Sequence, residues 1–169
     1  MALAPCRSCQ REVSTDAAFC PHCGAPQPTN LHWRGPGFEW RSSQTIAGFP
    51  LVHIAFGKDA RGKLRVAKGI IAIGQFGLGV ITIAQFGVGL LFGFGQFILG
   101  CTALAQFAGA LWFGIGQFAT GYIAIGQFVL ADLGLAQMGF ARAIWTPEHQ
   151  DPEAVAYFQQ LWENIRHWW

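Results

Sequence analysis

From Gly69 to Ala131 the chain runs for 63 residues without an Asp, Glu, Lys, Arg or His. Through and just past that run a glutamine recurs between a small and a large residue: Gln75, Gln85, Gln96, Gln106, Gln117, Gln127 and Gln137. The steps are ten or eleven residues. Phe follows each glutamine except the last, where Met138 stands. Self-similarity at a fixed short period constrains a fold more than local propensity, because each unit can bury its apolar side only against the next.

A five-residue frame underlies the ten. Residues 116–140 divide as GQFAT, GYIAI, GQFVL, ADLGL and AQMGF, each opening with Gly or Ala and carrying a large residue third. One extra residue per 21, near Phe94 and Ile115, carries the frame back to Gly74. This pattern resembles the pentapeptide-repeat β-helices. The resemblance implies a four-sided coil with four pentads per turn, first and third side chains inward, and glycine at corners that need positive φ. Phe76, Ile81, Phe86, Leu91, Phe97 and the third residues after them would then form an aromatic core. The glutamines would form two ladders on opposite faces, Gln75, Gln96, Gln117 and Gln137 on one and Gln85, Gln106 and Gln127 on the other. Their amides would bond from rung to rung. The fourth and fifth positions, such as Leu78, Ile83, Val88, Leu99 and Leu130, are apolar where soluble pentapeptide repeats are polar.

The alternative is a bundle of Gly-rich transmembrane helices, since about 20 apolar residues span a bilayer. Against it, three spans need two connections and no polar loop interrupts the run, and frequent glycine weakens helices. On the four-pentad turn the solenoid has under four coils and is under about 20 Å tall. That falls short of a hydrocarbon core of about 30 Å.

Ahead of the repeat stand Cys6-Arg7-Ser8-Cys9 and Cys20-Pro21-His22-Cys23-Gly24. Two CxxC pairs offer four thiolates to one tetrahedral Zn2+. The arrangement resembles the short zinc ribbons at the front of many bacterial membrane proteins. Cys6, Cys9, Cys20 and Cys23 are the expected metal ligands, and His22 is expected to face solvent. Four thiolates close the coordination sphere, so the site reads as structural. No signal peptide is expected from Met1-Ala2-Leu3-Ala4-Pro5, which lacks a charged start and a long apolar run.

Phe38–Ser42 and Phe49–Gly57 read as strands that cap the first coil. Gly48-Phe49-Pro50-Leu51-Val52-His53-Ile54, with Ala67-Lys68-Gly69-Ile70-Ile71-Ala72-Ile73-Gly74, resembles the entry of a group of uncharacterised bacterial membrane-associated proteins with hydrophobic pentads. That resemblance implies architecture and no activity. Lys58, Arg61, Lys63, Arg65 and Lys68 precede the apolar run against Asp59 alone, as on the cytoplasmic flank of a membrane segment. After the repeat, Thr146-Pro147-Glu148 and Asp151-Pro152-Glu153 both read as helix starts. From Pro152 the apolar residues Val155, Phe158, Leu161, Trp162, Ile165 and Trp169 fall at helical spacing, with Tyr157 and Trp168 beside them.

The expected fold is therefore mainly β: zinc ribbon 1–28, linker 29–36, β cap 37–66, four-sided hydrophobic β-solenoid 67–144 and C-terminal amphipathic α-helix 145–169. Charged residues are only 12%, about half the usual share, so the apolar outer faces expect lipid or other copies of the chain. Net charge is +2, which gives nucleic acid no bulk attraction. No phosphate loop or paired carboxylates occur, and Cys101 has no histidine near it in sequence, so no enzyme is expected. The expected role is a membrane-embedded or membrane-associated scaffold in a bacterial cytoplasmic membrane, with the ribbon on the cytoplasmic side and open to a protein partner. The alternatives are a soluble self-assembling solenoid and a helical channel or transporter subunit.

Overall fold

The structure is a computed structural model and describes residues 2–167. Trp168 and Trp169 of the expected terminal helix lie outside the described residues. The chain divides into two compact units, Met1–Pro36 with Lys58–Lys63, and Gly37–Gly57 with Leu64–Trp169.

In the first unit β1 (Leu3–Pro5) pairs antiparallel with β2 (Glu12–Ser14), Ala4 opposite Val13. The buried core is Cys6, Val13 and Cys20. The Ala25–Asn30 stretch packs back on the ribbon: Pro28 is fully buried, and its carbonyl accepts from Arg7 N–H at 2.7 Å. The Lys58–Lys63 loop is held by Asp59, whose carboxylate accepts from the N–H of Arg61 at 2.8 Å and of Lys63 at 2.9 Å.

The second unit opens with β3 (Phe38–Arg41), β4 (Thr45–Ile46), β5 (Phe49–Pro50) and β6 (Val52–Phe56). Ala47 and Gly48 join β4 to β5 with φ of 51° and 82°, the double left-handed turn that suits a two-residue hairpin. β6 lies between β3, antiparallel, and the first coil of β7 (Val66–Trp145), parallel, with Val52 opposite Ile71 and Ala55 opposite Gly74. It is thus the first rung of the solenoid, and β3 covers its outer edge.

β7 is one run of 80 extended residues that winds on itself. Strand throughout, it replaces the helical-bundle alternative, and the helical-channel reading falls with it. The ring stack sets the pitch. Phe76 stacks on Phe86 at 5.6 Å, Phe97 on Phe107 at 4.4 Å, Phe107 on Phe118 at 4.7 Å and Phe118 on Phe128 at 5.4 Å. Consecutive rungs are therefore ten or eleven residues apart. A four-sided coil would have placed Phe97, not Phe86, next to Phe76. The pentad frame holds, but the coil has two sides of one pentad each. All the glutamines then run along one edge, not in two opposite ladders. The run makes about seven and a half coils, and at about 4.8 Å per coil it rises about 36 Å rather than under 20 Å.

The interior is also the reverse of the expected aromatic core. Ala72, Thr82, Ala103, Ala108, Ala119 and Ala124 are buried, with Ile98 and Val129 the bulkiest fully buried residues of the repeat. Phe86 is 46% exposed and Leu111 81%. Counted from its small first residue, each pentad reads inward, outward, outward, inward, outward, with the second and third positions, the third-position aromatic among them, at a corner. The walls stand too close for large side chains: a Cβ on Gly77 would lie 2.7 Å from Thr82 Cγ2 across the interior. Glycine is needed chiefly for this close approach; within the repeat Gly121 and Gly139 alone among the described residues take positive φ. Thr82 and Thr120 hydroxyls donate to the Val88 and Ala110 carbonyls, at 2.8 and 3.1 Å.

Thr146-Pro147-Glu148 forms a turn, not a helix start, closed by His149 N–H donating to Thr146 Oγ1 at 2.9 Å. The helix begins at the second signal: α1 (Pro152–Arg166), with Pro at N1 and Glu153 in the first turn. It lies along the last coils, burying Ala154 and Phe158 against Ile123, Leu133 and Ala143. Further along, an apolar cleft of about 440 Å³ opens between α1 and the wall, lined by Ile125, Leu135, Trp145, Leu161, Trp162 and Ile165 among others.

Candidate metal centre and the outer faces of the repeat

The four cysteines expected as ligands come together. Their sulfurs all lie within 4.8 Å of one another, with Cys6 Sγ 3.7 Å from Cys23 Sγ and Cys9 Sγ 3.7 Å from Cys20 Sγ. With Zn–S near 2.3 Å, a tetrahedron has S–S edges of about 3.8 Å, so this set fits zinc. All four thiols are free, and the 3.7 Å pairs are far from a bonded S–S distance of about 2.05 Å.

Two knuckle turns build the site. After Cys23, Gly24 takes φ +72° and its N–H donates to the Cys20 carbonyl at 2.9 Å. After Cys9, Gln10 does the same at φ +62°, donating to the Cys6 carbonyl at 2.9 Å. Sequence reasoning saw the glycine and missed Gln10, which holds the left-handed position at the cost a side chain brings there. The turns aim backbone N–H groups at sulfur, Ser8 N–H reaching Cys6 Sγ at 3.4 Å.

The N–H groups of Cys9 and Ser8 lower the Cys6 thiol to about 6, against the effect of burial. The Ala25 N–H works in the same direction on Cys23. Burial and the neighbouring sulfurs of Cys20, Cys9 and Cys6 outweigh it and push Cys23 up to about 12. The first thiolate forms readily and the last resists joining the others. A divalent cation is the counter-charge that lets all four ionise.

His22 is exposed and its Nδ1 lies 3.4 Å from Arg11 Nη1, so it turns to the guanidinium. Arg7 donates to the Pro26 carbonyl at 3.1 Å and lies 4.4 Å over the Trp33 ring. Arg7 and Arg11 are thus both engaged within the ribbon unit.

Residues 6–27 match the zinc-ribbon domain family. No curated protein and no solved structure matches the chain.

In the second unit His53 is 2% exposed. Its Nδ1 accepts from Lys68 N–H at 2.8 Å and lies 3.1 Å from the Lys68 carbonyl, and its Nε2 lies 3.3 Å from both Glu39 Oε1 and Arg41 Nε. Glu39 also receives Arg41 at 2.5 Å and Arg65. Burial works against its charge, but the Arg41 bond and the charges of Arg41 and Arg65 hold Glu39 below the usual carboxylate range. His53 thus ties β3, β6 and the first coil together. Its partner Glu39 had no signal in the sequence beyond its place on a strand. Cys101 is half-buried at the corner opposite the glutamines. At the far end Arg142 bridges Asp132 at 3.0 Å and Glu153 at 2.7 Å, clasping α1 to the last coils.

Between those charged ends the outside is apolar except along the glutamine corner. Leu78, Ile83, Leu99 and Leu130 on the walls, and Leu90, Leu91, Leu111 and Trp112 on the corner opposite the glutamines, are all exposed. Among the described residues no helix is long and apolar enough to cross a membrane.

Proposed function

We propose that this chain is a non-enzymatic scaffold embedded in a bacterial cytoplasmic membrane, its solenoid axis along the membrane normal and its ribbon in the cytosol. One observation carries this reading: apolar side chains face outward on both walls and one corner throughout the stretch without ionisable residues. Those 63 residues make about six coils, so the belt is about 29 Å tall, close to the roughly 30 Å of hydrocarbon. Monomers in water rarely expose an apolar surface of this extent. A coil bonded to the coil above and below leaves unpaired backbone only at its two ends, which is what lipid requires of a β-structure.

The cationic residues fit the same setting. Lys58, Arg61, Lys63, Arg65 and Lys68 precede the belt, as cytoplasmic flanks do. A reducing cytosol suits four thiolates on zinc, and the ribbon then serves as a rigid mount for a protein partner. The Arg142, Asp132 and Glu153 clasp and the Trp162 ring, 63% exposed, suit the opposite interface, where aromatic and polar groups concentrate.

The test is fractionation followed by an alkaline carbonate wash. The expected result is a chain that stays in the membrane pellet and leaves it only in detergent. Release by carbonate, or large lipid-free particles, would instead mean that the apolar faces meet other copies in water.

A further inference from the structure

The belt has one polar stripe. Gln85, Gln96, Gln106, Gln117 and Gln127 are exposed at one corner of successive coils, beside the stacked phenylalanines. Among the described residues Gln75 is the one repeat glutamine whose side-chain amide makes a hydrogen bond, accepting from Gly57 N–H at 3.1 Å. The amides do not bond to the rungs above and below, as the sequence had suggested. In lipid each would be a bare donor and a bare acceptor, which is costly. A groove of about 470 Å³ runs between the glutamine and phenylalanine columns at mid-height.

Three features decide what fills it. A primary amide both donates and accepts, so it complements another primary amide. The stripe repeats once per coil, so only a surface with polar groups at that rise can meet every rung. A second copy of this chain has the same groups at the same rise. Acyl chains offer neither donor nor acceptor, and a partner of another period would fall out of step within a few coils.

We propose that two copies pair through the Gln–Phe corner, coil against coil, with the phenylalanine columns closing the amide seam against lipid. This rests on the membrane reading. Chains inserted the same way are related by a two-fold axis along the membrane normal, so each glutamine meets its own counterpart, Gln106 with Gln106 and Gln85 with Gln85. An isologous contact of this kind closes at two subunits.

The test uses single cysteines in the full chain in membranes, on a Cys101→Ser background whose ribbon thiols are constant. Gln85→Cys, Gln127→Cys and Leu111→Cys are each treated with a short bifunctional thiol reagent. All three sites are exposed, so the fold tolerates them. The 85 and 127 variants alone should each give a covalent dimer several-fold above the Cys101→Ser parent, and the 111 variant, at the opposite corner, should match the parent. Dimer from the 111 variant, or from none of the three, would overturn the proposal. So would dimer only on mixing the 85 and 127 variants, the signature of antiparallel pairing. A carbonate wash of the same samples reports separately on the membrane reading: released chain that still cross-links at 85 and 127 sinks that reading and keeps the interface.

Discussion

In the ribbon, the buried core is two cysteines and a valine, and the four sulfurs gather at the centre. In the solenoid, the interior is a thin layer made mostly of Ala and Gly, and most of the Phe and Leu side chains face out. Neither region has the bulky core that holds an ordinary domain together. The ribbon substitutes a metal, whose binding free energy is its folding free energy. The solenoid substitutes a continuous ladder between coils and a medium for its outer side chains. The two should therefore fail under different insults, and the sharpest experiments set one against the other.

Metal removal should have the largest effect. Structural zinc in small ribbons contributes on the order of 10 kcal/mol or more, so a strong chelator should unfold residues 6–27 while the far-UV β signal of the repeat persists. Limited proteolysis would read both at once. Collapse of the whole chain would end the comparison, because the two regions would then share one cooperative transition.

Within the solenoid, inner and outer positions should differ in the sense opposite to an aromatic-cored coil. Ile98→Ala, at a fully buried site, should cost about 2–5 kcal/mol. Ala124→Leu, which adds three heavy atoms at a fully buried position between the walls, should cost about 1–3 kcal/mol by overpacking. Leu111→Ala, 81% exposed, should change stability in detergent by under about 0.5 kcal/mol. Detergent-resolved thermal melts of the three would check the order. A Leu111→Ala loss rivalling that of Ile98→Ala would mean that the large side chains form a core after all.

The smallest effect concerns α1. Asp151 Oδ2 accepts from Ile144 N–H at 2.7 Å, and that bond holds the Asp151 carboxyl below its usual range. Because the folded value is lowered, its contribution is complete above the unfolded carboxylate value of about 3.9, and is lost as pH falls through the folded value. Docking of α1 should thus loosen only in strong acid, and Asp151→Asn should bring that looseness to neutral pH. Tryptophan emission from Trp145 and Trp162 would report it.

Much of this was legible beforehand. The cysteine spacing specified the ribbon because two CxxC turns have few other uses. The glutamine period specified a solenoid and the pentad frame, and the stretches Phe38–Ser42 and Phe49–Gly57 specified its strand caps. What misled was the number of sides: ten residues suit either half of a square turn or a whole flat one, and the frame alone cannot tell them apart. The decisive clue was the fourth position, small at Gly77, Gly87, Ala103, Ala108, Ala119 and Ala124. Two small inward positions per pentad leave room for walls in near contact and none for an aromatic core. Glu39 and Gln10 were not legible, since each acts through a partner brought near only by folding.

The stacking of like coils also has a consequence for how such a chain can change. One coil is a gene segment of ten or eleven codons, and its loss or duplication leaves both ends, their charges and the phase of every remaining rung intact. Height is thus adjustable in increments of about 4.8 Å, with no compensating mutation elsewhere. If the belt sits in lipid, a lineage meeting a thicker or thinner bilayer could follow it by counting repeats.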